Sequence, residues 1–79
     1  RVDLEIITIY TSDVSDIKNK IATIIQQHPL VLQDPKADVF INNFTETSIH
    51  FSARVWTENQ NHMRVKSDIL EKCKDLVSI

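Results

Sequence analysis

Glycine is missing altogether from these 79 residues. Turns commonly recruit glycine where the backbone needs positive φ, so here Asn, Asp, Ser and Pro must turn the chain. A glycine-rich phosphate loop is excluded with it. Cysteine occurs once, at Cys73, which rules out an intrachain disulfide and requires no oxidising compartment. No stretch approaches the roughly 18–20 consecutive apolar residues of a membrane span. No basic-then-apolar leader follows Arg1. Neither sign of charge dominates, since nine Lys and Arg stand against eleven Asp and Glu for a net charge of −2. The basic residues are scattered, so the clustered cations that bind nucleic-acid phosphates are lacking. A membrane-surface helix fails on the same ground.

What remains is an ordinary globular composition, 42% hydrophobic and 25% charged. Residues 1–79 suit a single small domain. A chain of this size buries only roughly 60–65% of its unfolded surface, so its stability margin is thin.

Periodicity divides the chain into five elements. From Val2 to Tyr10 the sequence first alternates, with Val2, Leu4 and Ile6 on one face and Asp3 and Glu5 on the other. It then turns apolar on both faces through Ile7 and Ile9, which predicts a strand more buried in its second half. Ser12 or Asp13 is placed to cap a helix. Val14, Ile17, Ile21, Ile24, Ile25 and His28 form its apolar stripe. Pro29 should end that helix at His28. A loop follows to Ala37, with Leu30 and Leu32 expected to tuck against the helix end.

Asp38 to Phe44 reads as a second strand, with Val39 and Ile41 on one face and Phe40, Asn42 and Phe44 on the other. Thr45-Glu46-Thr47 makes a hairpin turn. Ser48 to Trp56 is a third strand whose Ile49, Phe51, Ala53 and Val55 share a face opposite His50, Ser52, Arg54 and Trp56. After a polar turn, with Asn59 or Asn61 as a cap, Val65, Ile69, Leu70, Cys73, Leu76 and Val77 form a second helical stripe. Asp68 and Lys72 are spaced to attract weakly.

One apolar stripe per helix and one apolar face per strand call for a two-layer α+β sandwich. The order β-α-β-β-α is the split, ferredoxin-like arrangement without its last strand. The apolar pattern runs through Leu76-Val77-Ser78-Ile79 with no C-cap signal, so a further strand is expected shortly after Ile79.

No grouping of residues signals catalysis. His28, His50, His62 and Cys73 fall on different elements and none has zinc-type spacing. Asp13, Asp16, Asp34 and Asp38 suit caps and turns. Ser12 and Ser15 have no neighbouring histidine to activate them. The expectation is a protein without catalytic residues, metal or cofactor. Interest falls instead on the third strand's second face. His50, Arg54 and Trp56, with Phe40, Asn42 and Phe44 of the neighbouring strand, form a partly aromatic surface. It is open if helices cover only the other side, and such a surface can mark a subunit contact. The plainer reading is that Trp56 covers the domain's own edge.

The segment Tyr10-Thr11-Ser12-Asp13 leading into Ile17-Lys18 and Ile24-Ile25 resembles the C-terminal α/β domain of the small-conductance mechanosensitive channels. So do Leu32-Gln33-Asp34-Pro35, Ser48-Ile49, Ala53-Arg54-Val55-Trp56 and Asp68-Ile69-Leu70-Glu71, in that order and nearly without gaps. The resemblance implies a subunit with preceding membrane helices and a β domain, assembled as a heptamer at the cell membrane. Its cytoplasmic parts would enclose a vestibule, and the pore would release ions and small solutes on hypoosmotic shock. The 79 residues would then be a structural and assembly module on the cytoplasmic side of the inner membrane. They would touch the membrane only through helices that precede Arg1. With the closing strand and the joining terminal segment outside these residues, self-association of the fragment alone is not implied.

Two other readings compete. A small-molecule-sensing regulatory domain rests on analogy with ferredoxin-like sandwiches alone. A small metal-dependent hydrolase would need the ligand spacing that is missing here.

Overall fold

A computed structural model describes residues 1–10 and 13–77, with the side chain of Val77 outside the description. The elements are β1 (Val2–Ile9), α1 (Val14–Gln26), β2 (Asp38–Phe44), β3 (Ser48–Val55), a 3-10 turn (Asn59–Asn61) and α2 (His62–Val77). They form a two-layer α+β sandwich. The sheet order is β1-β3-β2 with both pairings antiparallel, so β3 lies between the two strands that α1 connects. This is the split arrangement expected from the sequence.

The core lies between one sheet face and both helices. β1 contributes Val2, Leu4 and Ile6, and β3 contributes Ile49, Phe51, Ala53 and Val55. Ile21 and Ile25 of α1 and Val65, Ile69 and Cys73 of α2 close it from above. Alternation on the strands and three- and four-residue spacing on the helices put each of these on the inner side.

Local chemistry sets the boundaries. Asp13 accepts the Asp16 N–H at 3.2 Å and caps α1, while Ser12 lies outside the described residues. At the other end Gln27 and His28 return their N–H groups to Thr23 and Ile25, and Pro29 forbids another turn. The β2–β3 hairpin closes on Thr45, whose hydroxyl oxygen accepts from the N–H groups of Thr47 (3.2 Å) and Ser48 (3.1 Å). Asn59 and Asn61 lie within the 3-10 turn, where the Asn61 N–H bonds the Glu58 carbonyl.

Four expectations are corrected. The second half of β1 is not the more buried half: Ile7 and Ile9 are 43% and 40% exposed, because the helices cover only one sheet face. In the loop, Val31 enters the core and Leu32 stays out, since the Leu32 N–H is drawn to the Trp56 carbonyl at 2.8 Å. Leu70 lies at the rim of the α2 stripe and remains exposed. Asp68 turns to His28, at 2.8 Å, and towards Arg64, at 3.9 Å, where Lys72 was expected.

Candidate functional site

The face of the sheet away from the helices is built in cross-strand rows, because directly opposed residues in antiparallel strands point the same way. Asp3, Arg54 and Asp38 make the first row, and Glu5, Ser52 and Phe40 the second. Ile7, His50 and Asn43 make the third, followed by Ile9 beside Ser48. One cation is thus flanked in register by two carboxylates, and two isoleucines lie along the β1 side. The Arg54 guanidinium carbon sits 5.0 Å from the centre of the Phe40 ring, a cation–π distance. Arg1 pairs with Asp3 at 3.0 Å, an exposed contact of little energetic weight.

Of the six residues expected on this face, Phe40, His50 and Arg54 are brought together. Trp56, just past the end of β3, is half-buried and continues the alternation beyond Val55. Phe44 is a correction. A bulge between Ile41 and Asn43 absorbs Asn42, so Phe44 pairs with Ile49 and turns to the helix side. There it is 66% exposed and shares an apolar hollow with Tyr10, Val14, Ile41 and Ile49. Asn42 occupies the bulge itself and still lines a shallow hollow with Phe40 and Arg54, as expected. Strict alternation gave no sign of this, although two consecutive asparagines in a strand were a signal that regular pairing is weak there.

Two of the three histidines, His28 and His50, make side-chain bonds within the domain. His28 is buried, and its Nδ1 accepts the Leu30 N–H at 3.1 Å. The ring proton therefore sits on Nε2, which faces Asp68 Oδ2 at 2.8 Å. Both nitrogens are engaged, so the ring clasps the loop after α1 to the middle of α2. Thr57 supports the same loop by donating to the Leu30 carbonyl at 2.7 Å. Periodicity could not reveal this clasp, whose partners are 40 residues apart.

On the uncovered face, His50 Nδ1 lies 3.2 Å from Glu5 Oε1, and Nε2 lies 3.3 Å from Ser48 Oγ. The sequence of acid, imidazole and hydroxyl invites comparison with a hydrolytic triad. Its surroundings argue otherwise. Ser48 Oγ is also 2.9 Å from Thr45 Oγ1, and that same oxygen takes the N–H groups of Thr47 and Ser48 that could stabilise an oxyanion. The chain lies on an open sheet, where nothing excludes water. It braces the hairpin.

Among the described residues no cluster of three or more His, Cys, Asp or Glu side chains could hold a metal ion. Cys73 is buried and free, and burial pushes its thiol pKa above the ordinary value of 9.0. It is the reverse of an activated nucleophile. No described helix is long and apolar enough to cross a membrane.

The described residues thus form a small sandwich with one sheet face left uncovered by its two helices. The family model for the C-terminal domain of the mechanosensitive ion channel MscS matches residues 2–78. The chain belongs to the MscS family. An MscS family protein of Archaeoglobus fulgidus is 31% identical over 65 residues, covering 82% of this chain and 23% of that protein. An MscS family protein of Synechocystis is 24% identical over 74 residues, covering 94% and 25%. The small-conductance mechanosensitive channel of Edwardsiella ictaluri is 23% identical over 74 residues, covering 94% and 26%. The chain spans about a quarter of the length of these curated relatives.

Proposed function

We propose that this domain is a structural and assembly module of a mechanosensitive channel subunit, set in the wall of a vestibule on the cytoplasmic side of the membrane. The channel would be a heptamer that releases ions and small solutes on hypoosmotic shock. The observation that supports this reading is the uncovered sheet face, where Phe40, Arg54, Ile7 and Ile9, beside the carboxylates of Asp3, Glu5 and Asp38, present a mixed apolar and charged surface that no described element covers. A face of this kind, mixed in character and backed by a rigid core, suits contact with a neighbouring subunit. Membership of the MscS family supplies the channel context.

A ligand-sensing reading gains nothing from the hollow between α1 and the loop before β2. It holds about 40 Å³, room for a water molecule, whereas the clefts of about 370, 440 and 450 Å³ elsewhere lie open on the surface.

The test is made in the full-length subunit. Phe40→Glu with Arg54→Glu should lower the assembled fraction, read by native mass spectrometry, and reduce survival of hypoosmotic shock. Trp56→Ala should act in the same direction more weakly. Wild-type assembly and survival in all of these variants would overturn the contact role of this face.

A further inference from the structure

The two nitrogens of His28 hold two different parts of the domain. Nδ1 accepts the Leu30 N–H at 3.1 Å, and Nε2 donates to Asp68 Oδ2 at 2.8 Å. A neutral imidazole has one ring lone pair and one N–H, and here each has its partner. A second proton can be placed only on Nδ1, at the lone pair that the Leu30 N–H occupies. Protonation and the loop bond therefore exclude each other. The Asp68 bond survives protonation and gains charge assistance.

An open cleft of about 450 Å³ lies beside the buried ring. The charged groups that line it with His28 all come from α2, namely Arg64, Asp68, Glu71 and Lys72. The loop residues Pro29, Leu30, Val31 and Leu32 add no charge. Two carboxylates favour an imidazolium and two cations oppose it. Distance separates them: Asp68 is in hydrogen-bond contact with the ring, while the exposed Arg64 stands 3.9 Å from the same carboxylate oxygen. An imidazolium can displace that cation with little loss.

The loop on the other side of the ring is itself a junction. The Leu30 carbonyl accepts the Thr57 hydroxyl at 2.7 Å, and the Leu32 N–H bonds the Trp56 carbonyl at 2.8 Å. Val31 lies between them in the core, and its N–H bonds the His28 carbonyl at 3.2 Å. That last bond uses no ring atom, so protonation leaves it in place.

We propose that His28 is a proton-operated latch. The neutral ring holds the loop after α1 to the middle of α2. The protonated ring keeps Asp68 and lets the Leu30 N–H go. Release is local, because the Val31 bond keeps the end of α1 closed, and it loosens the attachment of the loop to Trp56 and Thr57 at the end of β3. The latch stands without the channel assignment, since it uses only the ring, its two partners and the loop.

Hydrogen exchange in the full-length subunit tests it, measured between about pH 5 and pH 8, where histidine commonly changes charge. Exchange of the His28 C2 hydrogen reports ring protonation. Backbone exchange, divided by the random-coil rate at each pH, reports the loop. The Leu30 amide should lose protection at least about tenfold as the ring takes its proton, and Leu32 should follow more weakly. Two variants separate the latch from a general effect of acid. An Asn side chain bonds the backbone N–H two residues on and does not titrate, so His28→Asn should hold Leu30 at every pH. A Gln amide reaches the place of Nε2 and offers Leu30 no acceptor, so His28→Gln should leave it released at every pH. Leu30 protection that stays constant while the ring protonates would overturn the proposal. So would a ring that stays neutral down to about pH 5, or an acid release of equal size in His28→Asn. If a variant does not fold, the wild-type titration decides.

Discussion

His28 and Cys73 show how much of this small domain is decided by single buried side chains. The His28 ring satisfies the Leu30 N–H and the Asp68 carboxylate at once. His28→Ala leaves both without it, and should cost about 1–3 kcal/mol in urea unfolding. Asp68 is 40% exposed, so water softens its loss, and Asp68→Ala should cost less. A double-mutant cycle isolates the bond, and a coupling under about 0.3 kcal/mol would show that the clasp is incidental. Cys73 makes a prediction about alkaline pH. Its thiol pKa is higher folded than unfolded because burial disfavours the thiolate. The folded state therefore holds its proton to higher pH, and its stability is undiminished below 9.0 and falls as pH rises beyond that. Wild-type stability should decline above that value more steeply than that of Cys73→Ala. Labelling of Cys73 at neutral pH should wait on unfolding.

At the scale of elements, the Asn42 bulge decides which surface Phe44 belongs to. With the bulge, Phe44 opposes Ile49 on the helix side. A ladder that took Asn42 into register would instead oppose Phe44 to Ser48, on the uncovered face. Deleting Asn42 should therefore remove only the extra residue. Phe44 should keep its nuclear Overhauser contacts to Val14 and Tyr10, and stability should change by less than about 1 kcal/mol. Loss of those contacts would mean that the register is regular and Phe44 was misplaced. The element order, the strand pairing implied by the hairpin and most of the core were legible in the sequence, because Leu4, Phe51, Ile21 and Ile69 sit on clean two- and 3.6-residue periods. What periodicity could not carry was anything set by a partner distant in sequence. The burial of Val31 in place of Leu32 follows from the Leu32 bond to Trp56. The exposure of Ile7 and Ile9 follows from which face the helices choose. Of the candidate surface, Phe40 and Arg54 were legible as same-face neighbours, whereas their stacking and the departure of Phe44 were not.

The described residues form one core between a three-stranded sheet and two helices, and the size of that core limits what the domain tolerates. Domains have stabilities of about 0.05–0.15 kcal/mol per residue, roughly 4–12 kcal/mol for a chain this long. Phe51 lies at the centre of β3, fully buried and flanked by strands on both sides. Phe51→Ala should remove about 3–5 kcal/mol, a large part of that total, and leave the 79-residue chain marginally folded or unfolded. Met63, 76% exposed at the start of α2, supplies the control, and Met63→Ala should stay within about 0.5 kcal/mol of wild type. Denaturant midpoints of the two variants decide the matter, and a Phe51→Ala midpoint close to that of Met63→Ala would mean that this core is not what holds the sandwich together. In the full-length subunit the same loss should appear first as reduced abundance, since unfolded chains are removed before they assemble. Substitutions on the uncovered face should show the opposite order, with abundance kept and assembly lost. Phe51 and Arg54 are three residues apart on one strand, so comparing them separates the side of the sheet that makes the fold from the side proposed to make the channel.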